Sequence, residues 1–303
     1  MGKAELQQEI RRLLRERHAV LLAHYYERAE VQETADILGD SLALSMEAAK
    51  TDAEVIVFAG VHFMAESAAI ISPEKTVLLP RADAGCPLAD MITPADLARA
   101  KQAHPGAAVV TYVNSSAAIK AQSDICCTSS NAVRIVNSLT DAGEVLMVPD
   151  GNLARYTARL TDRKIIPWPG HCPVHHGLTP GEVGRTKSLH PEALFAAHPE
   201  CRAEVLAMAD FVGSTAGIIR FAAASPRREI ILGTEAGVMT QIARIAPEKV
   251  VIPASDSLAC RTMRLTTLED IRNSLVQMRH VITVPEAVAG PARKALERML
   301  AVS

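Results

Sequence analysis

A pattern that occurs three times limits what this chain of 303 residues can fold into. In each copy, a short aliphatic or β-branched run leads through a proline into a loop of small residues that ends in a cysteine. The three cysteines, Cys86, Cys172 and Cys260, are 86 and 88 residues apart. Self-similarity at a regular spacing is typical of repeated structural units. The sequence therefore predicts three copies of one unit.

Three further features precede each cysteine in the same order. They are an apolar run that ends in polar residues, a cluster of hydroxyl residues, and a second apolar run that ends near a glycine. Short apolar runs that alternate with helix-like stretches are typical of parallel sheets covered by helices. The fold class we expect is α/β, with three similar parallel-sheet αβα domains around a pseudo-threefold axis and a central active-site cavity. The predicted units span 1–105, 106–189 and 190–275, with the C-terminal segment 276–303 packed on the first.

Composition excludes several classes of function. The 32 basic and 34 acidic residues give a net charge of −2, which argues against a polybasic surface for nucleic acid. Aromatic residues make up only 3% of the chain, too few for a base-stacking surface. No uncharged apolar run approaches the roughly 20 residues of a membrane helix. The first 17 residues are typical of an amphipathic helix rather than a signal peptide, so we expect a cytoplasmic protein that binds neither nucleic acid nor membrane.

Polar residues follow the first predicted strand of each unit. Because ligands of open α/β sheets bind beyond the carboxyl ends of the strands, we expect these residues to meet in the central cavity. A glutamate beside a histidine suits a general base, and a tyrosine suits a general acid. The residues in question are His24 and Tyr26 in the first unit, Tyr112 and Asn114 in the second, and His198 and Glu200 in the third.

Hydroxyl clusters stand where a helix begins in each unit, around Ser41, Ser129 and Thr215. We expect a serine or threonine to cap the helices after Ser129 and Thr215, because their side chains accept hydrogen bonds from free N–H groups of the first turn. Helix N-termini also attract anions. Three of them around one cavity would suit a small substrate with several anionic groups.

The three repeat-equivalent cysteines are candidate metal ligands. Three thiolates could bind Zn²⁺ with an open fourth position, or three corners of a [4Fe–4S] cluster with one iron free as a Lewis acid. The residues alone leave both open. The chain has no CxxC pair, and six cysteines in a cytoplasmic protein do not predict a disulfide framework. We expect Cys126 and Cys127 to fill apolar space at a strand end, and Cys201 to lie outside the metal site.

Several motifs together resemble the quinolinate synthase family, from about residue 20 to about residue 275. The motifs occur in the order and at the spacing of that family. They are His24-Tyr-Tyr26, Gly39-Asp-Ser41, Asp83-Ala-Gly-Cys86, Tyr112-Val-Asn114, Thr128-Ser-Ser-Asn131, Trp168-Pro-Gly-His-Cys172, His198-Pro-Glu200, Val212-Gly-Ser-Thr215, Gly233-Thr-Glu235 and the Cys260 loop.

The resemblance implies three α/β domains around a [4Fe–4S] cluster held by Cys86, Cys172 and Cys260. It implies condensation of iminoaspartate (iminosuccinate) with dihydroxyacetone phosphate to quinolinate, phosphate and water, in NAD biosynthesis. L-aspartate oxidase or an aspartate dehydrogenase would supply the iminoaspartate. By match to the motifs, Glu200, His198 and Tyr26 are the expected catalytic residues. The expected substrate-binding residues are His24, Ser41, Tyr112, Asn114, Ser129, His198, Glu200 and Thr215.

Two other functions fit part of the pattern. A three-domain zinc protein that binds a polyanionic metabolite would explain the cysteines and the helix starts but would leave Glu200 and Tyr26 without a role. An iron–sulfur hydratase could act on another dicarboxylate. One departure from the family concerns the third cysteine loop, which reads Cys260-Arg-Thr-Met263 here where the family often has Cys-Pro-Asn-Met. The ligand cysteine is kept.

Overall fold

The computed structural model describes residues 2–302 and contains three four-stranded sheets, all parallel. In each sheet the first two strands of a unit lie on one side and the last two on the other, with the same strand order. The fold class predicted from the sequence is confirmed. Within residues 2–302, no helix combines the length and the apolar composition that crossing a membrane requires.

The first sheet has the order β2-β1-β3-β4 and carries helices on both faces. Alternate residues of β1 enter different layers: Leu22 packs with α3 and α4, whereas Leu21 packs with α1. The elements are α1 (Lys3–Glu16), β1 (Ala19–His24), α2 (Ala29–Thr34), β2 (Ile37–Gly39), α3 (Ser41–Lys50), β3 (Val55–Ala59), α4 (His62–Ile71) and β4 (Thr76–Leu78).

The second sheet repeats this plan in the order β6-β5-β7-β8. Val110 faces the layer of α7 and α8, and Val109 faces the layer of α5 and α6. The elements are α5 (Pro94–Ala103), β5 (Ala108–Tyr112), α6 (Ala117–Lys120), β6 (Ile125–Cys127), α7 (Ala132–Ser138), β7 (Glu144–Val148), α8 (Gly151–Ala158) and β8 (Lys164–Pro167).

The third sheet has the order β10-β9-β11-β12. Ala196 packs with α12 and α13, and Phe195 packs with the layer that contains α11. The elements are α9 (Pro173–Gly177), α10 (Pro180–Leu189), β9 (Leu194–Ala197), α11 (Ala203–Leu206), β10 (Phe211–Val212), α12 (Thr215–Ala224), β11 (Glu229–Gly233), α13 (Val238–Ile245) and β12 (Val250–Pro253).

A ten-residue helix after each cysteine loop packs on the next unit. Leu97 of α5 belongs to the core of the second sheet, and Val183 of α10 to that of the third. Ile271 of α14 (Leu268–Gln277) packs with α1 and the first sheet. The boundaries expected at 105, 189 and 275 assign these helices to the unit before, whereas their side chains pack on the unit after. The three units therefore interlock in a ring.

The same local sequence signal begins all three of these helices. Thr93, Thr179 and Thr267 are their N-cap residues, and each accepts a hydrogen bond from the backbone N–H of an acidic residue three positions later. The carboxylate of that acidic residue in turn accepts from the backbone N–H of the N-cap residue, which completes a capping box. Repetition thus extends to the helix caps.

The C-terminal segment, which we expected on the first unit, contacts two units. Val281 bridges to Leu78 at the edge of the first sheet. The final helix, α15 (Glu286–Val302), then packs against α4 of the first unit and against α6, α7 and β6 of the second. Leu296 and Met299 of this helix are fully buried in the core that the two units share.

Candidate functional site

One cavity receives residues from all three units. The sheets direct the carboxyl ends of their first strands towards it, as the parallel arrangement predicts. All twelve residues singled out from the sequence line this cavity: His24, Tyr26, Ser41, Cys86, Tyr112, Asn114, Ser129, Cys172, His198, Glu200, Thr215 and Cys260.

Strand register explains why the polar residues and the hydroxyls meet. The ends of the first two strands are hydrogen-bonded neighbours in every unit: His24 with Gly39, Tyr112 with Cys127, and Ala197 with Val212. The residues that follow these pairs therefore emerge side by side. In this way each unit presents one polar strand end and one helix start to the cavity.

Two of the three helix starts around the cavity have a side-chain cap. Asp40 caps α3 by accepting from the N–H of Ala43, and Ser214 caps α12 by accepting from the N–H of Gly217. The prediction of a serine or threonine cap is confirmed at α12 but wrong at α7, whose N-cap residue is Asn131. Since neighbouring residues provide the caps of α3 and α12, the hydroxyls of Ser41 and Thr215 do not have to serve as caps.

His24 and His198 hold equivalent positions, and each makes the same kind of local hydrogen bond. The Nδ1 atom of each ring accepts from the backbone N–H two residues later, at 3.2 Å from Tyr26 and 3.4 Å from Glu200. Burial lowers the pKa of His24 to about 3 and also lowers the pKa of His198. A neutral ring that accepts at Nδ1 carries its proton on Nε2. On His198, Nε2 lies 3.2 Å from the hydroxyl of Ser129.

Glu200 is the buried carboxylate of the cavity, with 2% of its surface exposed. Its Oε2 lies 2.6 Å from Nδ1 of His175 and 3.4 Å from Nδ1 of His198. Burial alone would raise the pKa of Glu200, but these two histidines outweigh it and hold the pKa well below its usual value. Its Oε1 is buried without a hydrogen-bond partner in the described part of the chain. Glu200 thus lines the cavity with one carboxylate oxygen that has no hydrogen-bond partner among the described residues.

Two tyrosines and an asparagine complete the polar lining. Burial raises the pKa of Tyr26 and of Tyr112 well above the usual value, and the charge of Glu200 raises both further. Both phenols are therefore neutral. Oδ1 of Asn114 is buried and has no hydrogen-bond partner among residues 2–302. An unpaired buried acceptor is unfavourable, which suits a group that pairs with a ligand.

Two of the cysteine loops are fixed by buried carboxylates. Asp150 accepts from the backbone N–H of Cys172 at 2.9 Å, and Glu235 accepts from that of Cys260 at 3.2 Å. Burial raises the pKa of the Cys86 thiol to about 12, and burial also raises the pKa of Cys172 and Cys260. A metal would displace these protons, because the thiolate is the ligand.

The spacing of the donors limits which metal centre fits. In residues 2–302, the only group of three His, Cys, Asp or Glu ligand atoms within 4.8 Å of one another is Cys172, His175 and Glu200. Two zinc ligands of this kind lie about 3.3 Å apart, so the 2.6 Å between His175 and Glu200 is a hydrogen bond rather than joint zinc coordination. The sulfurs of Cys86, Cys172 and Cys260 do not all lie within 4.8 Å of one another.

The other three cysteines lie away from the cavity lining. Cys126 and Cys127 are fully buried in β6, as predicted for apolar fillers. Cys201 is also buried, and its Sγ lies 3.3 Å from the carbonyl of Gly233.

The sequence analysis gave no role to His175, yet it contacts more of the site than most predicted residues. It is 2% exposed, and its Nδ1 lies 3.3 Å from Sγ of Cys172 as well as beside Glu200. Its ring stacks on that of His198, with 4.5 Å between the centroids. A position three residues after a ligand cysteine, on a helix, shares the face of that cysteine, and this spacing is the signal that could have identified it.

Comparison with known proteins finds relatives that match nearly the whole chain. The family model described as "Quinolinate synthetase A protein" matches residues 8–301. The quinolinate synthase of Geotalea uraniireducens is 57% identical over 302 residues, which cover 100% of this chain and 99% of the relative. Quinolinate synthase 1 of Methanosarcina acetivorans is 56% identical over the same shares, and the enzyme of Geobacter metallireducens is 56% identical over 98% of this chain and 97% of its own length.

Proposed function

Since the chain belongs to the quinolinate synthase family of enzymes, we propose that it condenses iminoaspartate with dihydroxyacetone phosphate to quinolinate. Phosphate and water leave in the reaction. The observation that carries the proposal is the convergence of three cysteines, one from each unit, with the carboxylate of Glu200 on one cavity. L-aspartate oxidase or an aspartate dehydrogenase would supply the iminoaspartate. The six free cysteines support a reducing compartment such as the cytoplasm.

We further propose that Cys86, Cys172 and Cys260 hold a [4Fe–4S] cluster. Three sulfurs around one tetrahedral zinc lie about 3.8 Å apart, because each Zn–S bond is about 2.3 Å long. The described cysteine sulfurs do not all lie within 4.8 Å of one another, which suits a larger centre. When bound, the cluster would supply one iron without a protein ligand as a Lewis acid for a substrate oxygen.

Substrate anions would bind without a basic side chain. No lysine or arginine is among the described residues that line the cavity. Ser41 and Thr215 instead stand in the first turns of α3 and α12, where the free N–H groups and the positive end of the helix dipole favour carboxylate or phosphate. Tyr112, Asn114, Ser129 and the Nε2–H of His24 would bind the remaining polar atoms.

Glu200 is the proposed general base. Glu200 lines the cavity as an ionised carboxylate, which is the state that a base needs, and its Oε1 has no hydrogen-bond partner among the described residues. His198 holds the backbone of Glu200 by accepting from its N–H, and it also reaches Ser129. Tyr26, neutral and on the same cavity, is the proposed acid–base partner near the triose carbonyl.

The test is an anaerobic assay for quinolinate with both substrates, together with iron and sulfide analysis of the reconstituted protein. We expect turnover and about four iron and four sulfide per chain. Glu200→Gln should keep the iron and lose turnover. Cys86→Ala should lose the iron while it keeps its circular dichroism spectrum.

Cys126→Ala is the matched control, because it removes a buried thiol that lies outside the cavity. It should keep iron and turnover. Bound zinc with little iron would refute the cluster. A full cluster without quinolinate formation would instead indicate a hydratase that acts on another dicarboxylate.

A further inference from the structure

One hydroxyl beside a cavity cysteine has no role so far. The side chain of Thr262 lines the cavity, and its Oγ1 lies 3.5 Å from Sγ of Cys260, to which it is hydrogen-bonded. Thr262 belongs to the loop in which this chain departs from the quinolinate synthase family, since it stands where the family often has asparagine. Both residue types carry a hydrogen-bond donor.

The turn after Cys260 places this hydroxyl. The backbone N–H of Arg264 donates to the carbonyl of Cys260 at 3.2 Å and closes the turn around Thr262. Thr262 is the N-cap residue of the 3₁₀ turn Met263–Leu265, but its side chain makes no capping hydrogen bond. Because the start of that turn does not use the hydroxyl, it is available to the sulfur.

The other two cysteine loops lack such a hydroxyl. The residue two positions after the cysteine is Leu88 in the first loop and Val174 in the second. Neither side chain has a hydrogen-bond donor. The equivalent position carries a donor only in the third loop, so the three cysteine sulfurs have unequal surroundings.

His175 does not give Cys172 an equivalent bond. Its Nδ1 lies 3.3 Å from Sγ of Cys172 but 2.6 Å from Oε2 of Glu200, and its Nε2 lies 3.0 Å from the hydroxyl of Thr234. Hydrogen bonds to an ionised carboxylate are short and strong, so the single proton of Nδ1 is directed to Glu200. The sulfur of Cys172 is the weaker of its two acceptors.

The protonation of Cys260 sets the direction of its bond to Thr262. A cysteine that binds a metal is a thiolate and has no proton to donate, so the hydroxyl must be the donor. Burial raises the pKa of the Cys260 thiol, and the hydroxyl of Thr262 opposes this increase. The hydroxyl therefore favours the charged sulfur, which is the form that a metal binds.

We propose that the hydroxyl of Thr262 donates a hydrogen bond to the sulfur of Cys260 in the bound cluster and raises the reduction potential of the cluster. The inference rests on the proposed [4Fe–4S] centre. A donor stabilises negative charge on a ligand sulfur and so favours the reduced cluster, which carries one more electron. Thr262 is a positioning residue in this scheme, because it acts through Cys260.

The surroundings make this bond effective. No lysine or arginine is among the described residues that line the cavity, so hydrogen-bond donors must offset the negative charge of the thiolates there. Hydrogen bonds are also stronger in the low local dielectric of a protein interior. The same stabilisation makes loss of an electron less favourable, which suits a cluster that serves as a Lewis acid and keeps one oxidation state.

The test compares Thr262→Val with Thr262→Ser in the cluster-loaded enzyme. Valine keeps the shape and removes the hydroxyl, whereas serine keeps the hydroxyl. Thr266→Val is the matched control, because Thr266 is a fully buried threonine four positions later whose hydroxyl has no partner in the described chain. The midpoint potential is measured by anaerobic titration with dithionite and redox dyes, followed by the electron paramagnetic resonance signal of the reduced cluster.

We expect Thr262→Val to have the more negative midpoint. At the wild-type midpoint, its ratio of reduced to oxidised cluster should be at most one third. A tenfold change in this ratio corresponds to about 59 mV for one electron, so a threefold change corresponds to about 28 mV. Thr262→Ser and Thr266→Val should match the wild type. An unchanged midpoint in Thr262→Val would overturn the proposal, and so would equal shifts in the valine and serine variants, which would indicate a packing role.

Steady-state kinetics separate tuning of the cluster from contact with a substrate. A higher KM in Thr262→Val with an unchanged midpoint would mean that the hydroxyl binds substrate, and this would refute the proposal. Failure of the proposed cluster looks different, because the wild type itself would then hold no iron after reconstitution. That result would remove the cluster and this inference together.

Thr262→Ala covers the case in which valine does not fit beside the cluster. It also removes the hydroxyl but leaves more room, and it should show the same shift of the midpoint. Loss of iron from both Thr262→Val and Thr262→Ala, with full iron in Thr262→Ser, would overturn the tuning role, because the hydroxyl would then be needed to retain the cluster. Loss of iron from all three variants would overturn it in favour of a packing role.

Discussion

A single methyl group at Gly237 should disturb the site from outside it. Gly237 is the N-cap of α13 in the third unit, and it lies against the loop of the first unit that carries Tyr26. A Cβ atom built there would lie 2.7 Å from the carbonyl of Tyr25 and 2.9 Å from Cα of Tyr26. The φ of Gly237 is −57°, so the clash is steric and not a matter of backbone preference.

The size of the effect follows from these distances. Ordinary contact begins at 3.4 Å, so the two loops must separate by about 0.5–0.7 Å. The bond from Tyr26 to Thr234 is 3.0 Å long, and such a shift would stretch it beyond hydrogen-bonding distance. Overpacking of this kind costs about 1–3 kcal/mol. Gly237→Ala should therefore lower both the melting temperature and kcat, the latter about tenfold.

The assay compares Gly237→Ala with Gly184→Ala. Gly184 is also in a helix, but a Cβ there would meet nothing within 4 Å, so alanine should be neutral or stabilise by about 0.5–1 kcal/mol. Melting temperature and kcat per iron are measured for both. Wild-type values in Gly237→Ala would refute the steric argument. A lower melting temperature with unchanged kcat would show that this contact does not position Tyr26.

Three more predictions concern stability and are measured by unfolding. Burial and the charge of Glu235 raise the pKa of Glu27 well above its usual value, and both of its buried carboxyl oxygens lack a partner within residues 2–302. Folded Glu27 keeps its proton at pH values where the unfolded chain has lost it. Stability should therefore fall as the pH rises above about 4.3, by at most about 1.4 kcal/mol per pH unit, and Glu27→Gln should remove this loss; an unchanged pH profile would contradict the assignment. Leu296→Ala should cost about 2–5 kcal/mol of stability, because this side chain of α15 is fully buried in the core of the first two units. A loss of stability below about 1 kcal/mol would mean that α15 does not close that core. Thr93→Ala should cost about 1 kcal/mol by removing the capping box of α5 without any change in kcat per iron, and an unchanged melting temperature would mean that the box does not stabilise α5.

The sheets and the cavity could be predicted because they follow from local pattern. Strand ends of parallel units point the same way, so the residues after β1, β5 and β9 had to emerge together. The twelve predicted residues do line one cavity. Their individual roles in binding and catalysis stay predictions.

Other features depend on packing partners and hydrogen bonds that the sequence pattern does not specify. The apolar faces of α5, α10 and α14 show that these helices pack on a sheet, but not on which sheet. His175 gains its importance from Glu200 and Thr234, which are 25 and 59 residues away along the chain. At α7 the residues Thr128, Ser130 and Asn131 hydrogen-bond to one another, and this local competition leaves the first turn of α7 without a side-chain cap.

The interlocked ring gives the cysteine loops a particular place. Each loop joins the last strand of one unit to a helix that packs on the next, so Cys86, Cys172 and Cys260 stand at the three junctions. A metal centre that takes one ligand from each junction binds only when all three are assembled, and its binding free energy then stabilises the ring as a whole. Two junctions are already fixed by Asp150 and Glu235, which stand two residues after the third strand of their units, whereas the same position in the first unit is Val61. The Cys86 junction would therefore depend most on the proposed cluster, so Cys86→Ala tests both the metal centre and the closure of the ring.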